Sequence, residues 1–152
     1  QIYLHDIRKG ALIEAKKRLK RAGIQNAQCL HASEAAKLKL LEGRMNWVFV
    51  DAPCSGTGTL RRNPDMKWKY SDAMLERLVS TQREIFQAAL PYLKKNGRIV
   101  YATCSLLAEE NEQQIEYFLK NYDLEPTGEY LKTVPSKNGP DGFFAFTFRK
   151  KV

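Results

Sequence analysis

No apolar run in this sequence approaches the ~20 residues needed to cross a bilayer, so no membrane partner is expected. Cysteine is scarce: there are three, none in C-x-x-C spacing. That pattern fits neither a zinc knuckle nor a disulfide scaffold, and no metal site is expected. Unpaired thiols belong in a reducing cytoplasm. A secretory signal is also missing, because Gln1-Ile2-Tyr3-Leu4 has neither a basic region nor an apolar segment behind it. Acidic residues run short: 17 Asp and Glu face 25 Lys and Arg, a net charge of +8. Such a surplus suits a polyanionic partner such as nucleic acid, although a solvated basic surface gives the same total.

What is present is a chain of 152 residues, 43% hydrophobic, enough for one domain with an ordinary core. It starts without Met and as though inside a strand, so it is expected to be a fragment of something longer. Ile2 to Asp6 reads as a short strand. Asp6 can cap the helix that follows, whose apolar positions Ala11, Leu12, Ala15, Leu19 and Ala22 recur at helical spacing before Gly23 stops it. Gln25 to Leu30 is a weaker strand holding Cys29, expected in the core. Ala32 to Leu41 reads as a helix ended by Gly43, and Trp47 to Val50 as a strand buried on both faces.

Ser71 looks like the N-cap of a long helix reaching about Lys95, with Leu75, Leu78, Val79, Ile85, Phe86, Ala89 and Leu93 inward and Pro91 bending it or dividing it into two pieces. Asn96-Gly97 leads into a strand ending at Cys104, and Glu109 to Tyr122 is amphipathic. Leu124 to Val134 reads as an outer strand and Phe143 to Phe148 as a final one. Alternating strands and helices predict an α/β fold with a mostly parallel sheet. Right-handed crossovers place the Val50 and Cys104 strands side by side.

The chemistry concentrates at two strand ends. Val48-Phe49-Val50 breaks into Asp51-Ala52-Pro53-Cys54-Ser55-Gly56-Thr57-Gly58, and a second apolar run ends in Ala102-Thr103-Cys104-Ser105. Ligands of parallel α/β sheets bind beyond the carboxyl ends of the strands, so two thiols are expected side by side in one site. Taken alone, either cysteine would read as a small buried hydrophobe, and Asp51 as a turn cap. Between them lies a basic, aromatic stretch from Leu60 to Tyr70. There Arg61, Arg62, Lys67 and Trp68 combine phosphate-binding charge with a stacking surface, as on single-stranded RNA; a solvated loop with its aromatics packed beneath is the alternative.

These segments, with Arg61-Arg62-Asn63-Pro64-Asp65, Glu109-Glu110-Asn111 and Asp141-Gly142-Phe143-Phe144, resemble the signatures of the Sun/Nop-type RNA (cytosine-5) methyltransferases, which include bacterial enzymes of 16S ribosomal RNA. The resemblance runs from about Asp6 to Phe148. It implies a Rossmann-like class I methyltransferase fold that uses S-adenosylmethionine, of which this chain is the C-terminal portion of the catalytic domain. It implies that Cys104 attacks carbon 6 of cytosine, Cys54 assists product release and Asp51 binds the cytosine edge. Asp6 would take the ribose hydroxyls of the methyl donor, with Asp51 and Pro53 bordering its pocket. Ribosomal RNA is the expected substrate, tRNA the alternative, and a cytoplasmic monomer the expected form.

Other readings are a DNA or amino-group methyltransferase, which would not need the second thiol, and a non-catalytic RNA-binding module. Two departures stand out. The acid expected near the adenine falls at His31 or Ser33, and the glycine-rich cofactor loop with its strand is not among these residues. The fragment alone is therefore expected to be inactive and to bind the donor weakly.

Overall fold

The structure, a computed structural model, describes residues 1–151. Its contacts gather into two compact units, Gln1–Glu42 and the chain from Gly43 onward.

In the first unit, β1 (Ile2–Asp6) and β2 (Ala27–His31) pair in parallel, Ile2 opposite Ala27 and Asp6 opposite His31. The crossover is α1 (Lys9–Arg21), followed after β2 by the short α2 (Ala35–Lys39). Leu12 and Leu30 are buried, as their periodicity requires. Strand side chains alternate, so Cys29, next to Leu30, faces away from it. It is half-buried beside Lys16 and Lys20 along a shallow groove, rather than in a core. Asp6 does not cap α1; Arg8 occupies that position without a side-chain bond. The Asp6 carboxylate instead accepts from the Arg8 amide at 2.8 Å, Nε at 3.0 Å and Nη2 at 2.8 Å, because the guanidinium fork two residues on outbids the helix amides.

The second unit runs β3 (Met45–Asp51), α3 (Met66–Lys69), α4 (Asp72–Ala89), β4 (Leu93–Thr103), α5 (Glu112–Asn121), β5 (Leu124–Pro126), β6 (Leu131–Thr133) and β7 (Phe143–Lys150). The sheet order is β3-β4-β7-β5, with β6 also on β7. β3 and β4 are parallel neighbours, and β7 is antiparallel to β4, β5 and β6. α4 and α5 both pack on one face. Phe86 and Phe118 stack there with ring centroids 3.7 Å apart, and Phe148 meets both edge-on. Each of these fully buried rings contributes about 1.5–3 kcal/mol.

Because both helices cover the same face, β3 is not doubly buried. Val48 and Val50 join the core, whereas Trp47 and Phe49 are 55% and 62% exposed, with the Arg98 guanidinium over the Trp47 ring. α4 stops at Ala89, since Pro91 imposes a short 3-10 turn (Leu90–Tyr92) and β4 begins at Leu93. Asn96-Gly97 therefore lies inside β4, where the register to β3 shifts. Ile85 is exposed and Gln82 is fully buried, because the stripe through Phe86 continues to the position one turn earlier. The expected outer strand is real but interrupted: β5 and β6 follow β7 with a register shift between Pro126 and Leu131. No helix among the described residues is long and apolar enough to cross a membrane.

Candidate active site

Val50 pairs with Tyr101 and Asp51 with Ala102, so β3 and β4 end level, and the Ala52 amide extends the pairing to the Ala102 carbonyl. The two chains then turn over the same sheet end and bring Cys54 Sγ within 3.3 Å of Cys104 Sγ. The turns are locked by backbone. The Gly58 amide donates to the Cys104 carbonyl at 2.9 Å, and the Gly142 amide donates to the Gly58 carbonyl at 2.8 Å. A β-carbon on Gly58 would overlap the Gly142 carbonyl and lie 2.8 Å from the Cys104 carbonyl, so only glycine fits.

Beside the sulfurs opens a cleft of about 530 Å³, with Asp51, Asn63, Cys104, Asp141 and Phe143 on its walls. Cys104 faces this space, whereas Cys54 does not line it and meets Cys104 from one side. The pair shares one proton unevenly. The bond to Cys104, then burial and the Cys104 charge, push the Cys54 thiol well above its ordinary range. The same bond, donated by Cys54, brings Cys104 down to about 7, against burial and the nearby Asp51 charge and with help from the Thr59 hydroxyl. The two shifts belong to the pair: Cys54 holds its proton more tightly, and Cys104 is the sulfur that gives its proton up more readily.

The other expected residues fall as follows. Asp51, exposed at the end of β3, borders the cleft. Pro53 is exposed, but its carbonyl is taken by Gln82 Nε2 at 3.0 Å, so it could border a donor pocket only through its ring. Arg61 is committed within the protein: Nε meets Asp141 Oδ1 at 2.5 Å, Nη2 the Gly139 carbonyl at 2.8 Å and Nη1 the Ser136 carbonyl at 3.3 Å. Arg62 pairs with the other oxygen of Asp141 and lines the cleft. Lys67 and Trp68 project to solvent on α3, Trp68 being 83% exposed and 5.6 Å from the Lys67 ammonium.

In the first unit, Asp6 lies at the end of β1, and Arg8 holds its carboxyl down at about 2. Both ring nitrogens of His31 are engaged, with the Ile7 carbonyl at 2.9 Å and the Ser33 hydroxyl at 2.8 Å.

Sequence reasoning gave no role to the polar residues behind the sulfurs, Ser55, Gln82, Glu110 and Asn111, or to Asp141 at the cleft wall, although all but Gln82 lie in segments that carry the family resemblance. For Gln82 the signal was an amide on the apolar stripe of α4. For Glu110, nothing beyond that resemblance marked its burial.

Comparison with known proteins agrees with the resemblance. Residues 1–149 match the family described as 16S rRNA methyltransferase RsmB/F. Ribosomal RNA small subunit methyltransferase B of Pectobacterium carotovorum is 47% identical over 111 residues, covering 68% of this chain and 26% of that protein. The protein of the same name from Yersinia pseudotuberculosis is 37% identical over 153 residues, covering 96% of this chain and 36% of its own length. The chain thus spans about a quarter to a third of these relatives.

Among solved structures, a methyltransferase homologue from Pyrococcus horikoshii superposes with a TM-score of 0.76 at 27% identity, over 98% of this chain and 53% of that one. NSun6 from the same organism gives 0.80 at 24% identity, over 99% and 41%, which speaks to fold alone. The α/β Rossmann-like methyltransferase fold expected from the sequence is the fold these structures share. One family pattern runs through nearly the whole chain and includes both cysteine motifs: the chain belongs to the 16S rRNA methyltransferase RsmB/F family.

Proposed function

We propose that this chain is the catalytic segment of an S-adenosylmethionine-dependent methyltransferase that modifies carbon 5 of a cytosine in ribosomal RNA through a covalent cysteine adduct. The observation that carries this reading is the thiol pair: two sulfurs 3.3 Å apart, one of them on the wall of a cleft large enough for a pyrimidine.

Carbon 5 of cytosine is a poor nucleophile. The Cys104 thiolate would bond to carbon 6, and the displaced ring electrons make carbon 5 enamine-like. Asp51, beside the same sulfur, would hydrogen-bond the base edge and favour protonation of the ring nitrogen as charge builds there. Phe143 gives the cleft an aromatic wall against which a flipped base can lie. Bond formation at Cys104 also changes Cys54. Two of the three influences that hold its proton, the bond to Cys104 and the charge on it, vanish once that sulfur is alkylated, and burial alone remains. Cys54 can then release its proton to solvent and accept the one on carbon 5. The carbon–sulfur electrons return to Cys104, leaving a 5-substituted cytosine and a free thiolate.

The methyl donor suits a carboxylate of the first unit. Asp6 at the end of β1 offers the paired acceptors that ribose hydroxyls need. Arg8, now on both Asp6 oxygens and largely exposed, would have to yield one of them. When bound, S-adenosylmethionine supplies the electrophilic methyl group.

The test uses a complete enzyme that carries this segment. Cys104→Ala is expected to abolish turnover while RNA binding persists. Cys54→Ala is expected to accumulate a protein–RNA adduct that survives denaturant. Absence of that adduct removes Cys54 from its role, and turnover by Cys104→Ala ends the covalent reading altogether.

A further inference from the structure

Glu110 and Asn111 are consecutive and wholly buried, and each holds one of the two cysteine loops. Glu110 Oε1 accepts from the Ser55 amide at 2.9 Å and from Gln82 Nε2 at 3.0 Å, and its Oε2 accepts from the Ser55 hydroxyl at 2.5 Å. The same Gln82 nitrogen donates to the Pro53 carbonyl at 3.0 Å. The peptide entering Cys54 and the peptide leaving it therefore both end on this buried pair.

Asn111 treats Cys104 likewise. Its Oδ1 accepts from the Thr103 hydroxyl at 2.6 Å and its Nδ2 donates to the Ser105 carbonyl at 2.9 Å, the residues on either side of the sulfur. The Ser55 and Ser105 hydroxyls meet at 3.2 Å and join the two halves. Tyr101 in β4 donates to the Glu110 carbonyl at 2.7 Å, which fixes the turn to the sheet.

Burying a carboxylate costs several kcal/mol before its hydrogen bonds offset it. What an apolar residue cannot do is hold two peptide groups at a set distance from two others. We propose that the Glu110–Asn111 turn is the positioning element of the thiol pair, Glu110 placing Cys54 and Asn111 placing Cys104, so that the sulfurs stay at hydrogen-bonding distance. The inference rests on the reading of these cysteines as nucleophile and partner. Neither residue touches substrate; both act through the loops they hold. A hydrogen bond between sulfurs weakens steeply with small displacements, so loosening either loop returns Cys104 toward an ordinary thiol.

The experiment is the pH dependence of iodoacetamide alkylation at Cys104, read by mass spectrometry on the complete enzyme, with thermal unfolding measured alongside. It requires no methyl transfer. Wild-type alkylation is expected to have its midpoint near 7. Glu110→Gln keeps the shape but replaces one acceptor oxygen by a donor, so that either the Ser55 amide loses its acceptor or the Ser55 hydroxyl must turn from donating to accepting. It is expected to move the midpoint toward the ~8.5 of a free thiol and to slow alkylation at pH 7 about tenfold. Asn111→Ala should shift the profile the same way from the other loop.

If Glu110→Gln unfolds, Ser55→Ala, which removes one of three donors and little volume, should still displace the midpoint upward. A folded Glu110→Gln or Ser55→Ala protein with a wild-type profile overturns the proposal while leaving the cysteine chemistry standing. A wild-type midpoint already at the free-thiol value, with no adduct from Cys54→Ala, overturns the reading beneath it as well.

Discussion

The floor of the cleft and its rim are built on opposite principles. On the floor, Ser55, Thr59, Thr103, Ser105, Glu110 and Asn111 are all buried and polar, and each finds a partner in the chain. On the rim, α3 is a helix of four residues without a side-chain cap, its Trp68 ring stands in solvent, and the Lys69–Asp65 pair is exposed at both ends. Arg61 ties the rim down through Asp141 and the carbonyls of Ser136 and Gly139, and Arg62 adds the other oxygen of Asp141. A covalent step loses rate with every tenth of an ångström of misplacement, so its groups are held in advance. A surface that meets single-stranded RNA gains by adapting to its ligand. On the proposed function, the floor is organised for chemistry and the rim for encounter.

The sharpest way to break that contrast is to disturb the floor without removing a reactive group. Gly58→Ala drives a methyl group into the Gly142 and Cys104 carbonyls. It is expected to cost about 1–3 kcal/mol of stability, measured by denaturant unfolding. On the proposed function it also lowers kcat by about 100-fold, because both cysteine loops move. A Gly58→Ala enzyme with normal kcat would mean that the floor tolerates motion and that the contrast is false.

A smaller effect separates the two sulfurs. Cys104 has its proton affinity lowered to about 7, so its thiolate predominates above that pH and is lost as pH falls below it. Removing the donor with Cys54→Ala raises the Cys104 midpoint toward ~8.5, and alkylation at pH 7 falls about tenfold. An unchanged midpoint would assign the shift to the surroundings rather than to the partner thiol.

The floor and the rim also differed in how legible they were. Adjacent strand ends, the paired cysteines and Asp51 could be read in advance, because buried β-branched runs that break into Gly, Pro and polar residues have one usual meaning in an α/β sheet. Glu110 and Asn111 stood in a segment that carries the family resemblance, but their burial and role could not be read, since burial of a charged side chain depends on contacts that no local pattern encodes: their partners Ser55, Gln82 and Thr103 come from three other segments. The ion pair of Arg61 was hidden for the same reason. A basic residue in a basic loop reads as free, and only the fold brings Asp141 to it across 80 residues. β3 looked doubly buried because composition registers the apolar content of a strand, not how many faces its helices cover.

The smallest expected effects lie on the rim, and they test whether it takes part in RNA binding at all. Lys67 and Trp68 offer one charge and one exposed ring on a four-residue helix without a side-chain cap. Trp68→Ala is expected to weaken RNA binding by about 1 kcal/mol, the low end for loss of one stacked base, because part of the gain goes to ordering α3. Lys67→Gln removes one phosphate contact and is expected to reduce the salt dependence of binding by about 0.7 in the log–log slope, with little change at high salt. Both losses should appear in KM rather than in the alkylation profile of Cys104, since neither residue touches the loops that hold the sulfurs. Titrations at several salt concentrations decide the matter: identical slopes and affinities for wild type and both variants would make this loop a solvated surface and place RNA recognition elsewhere.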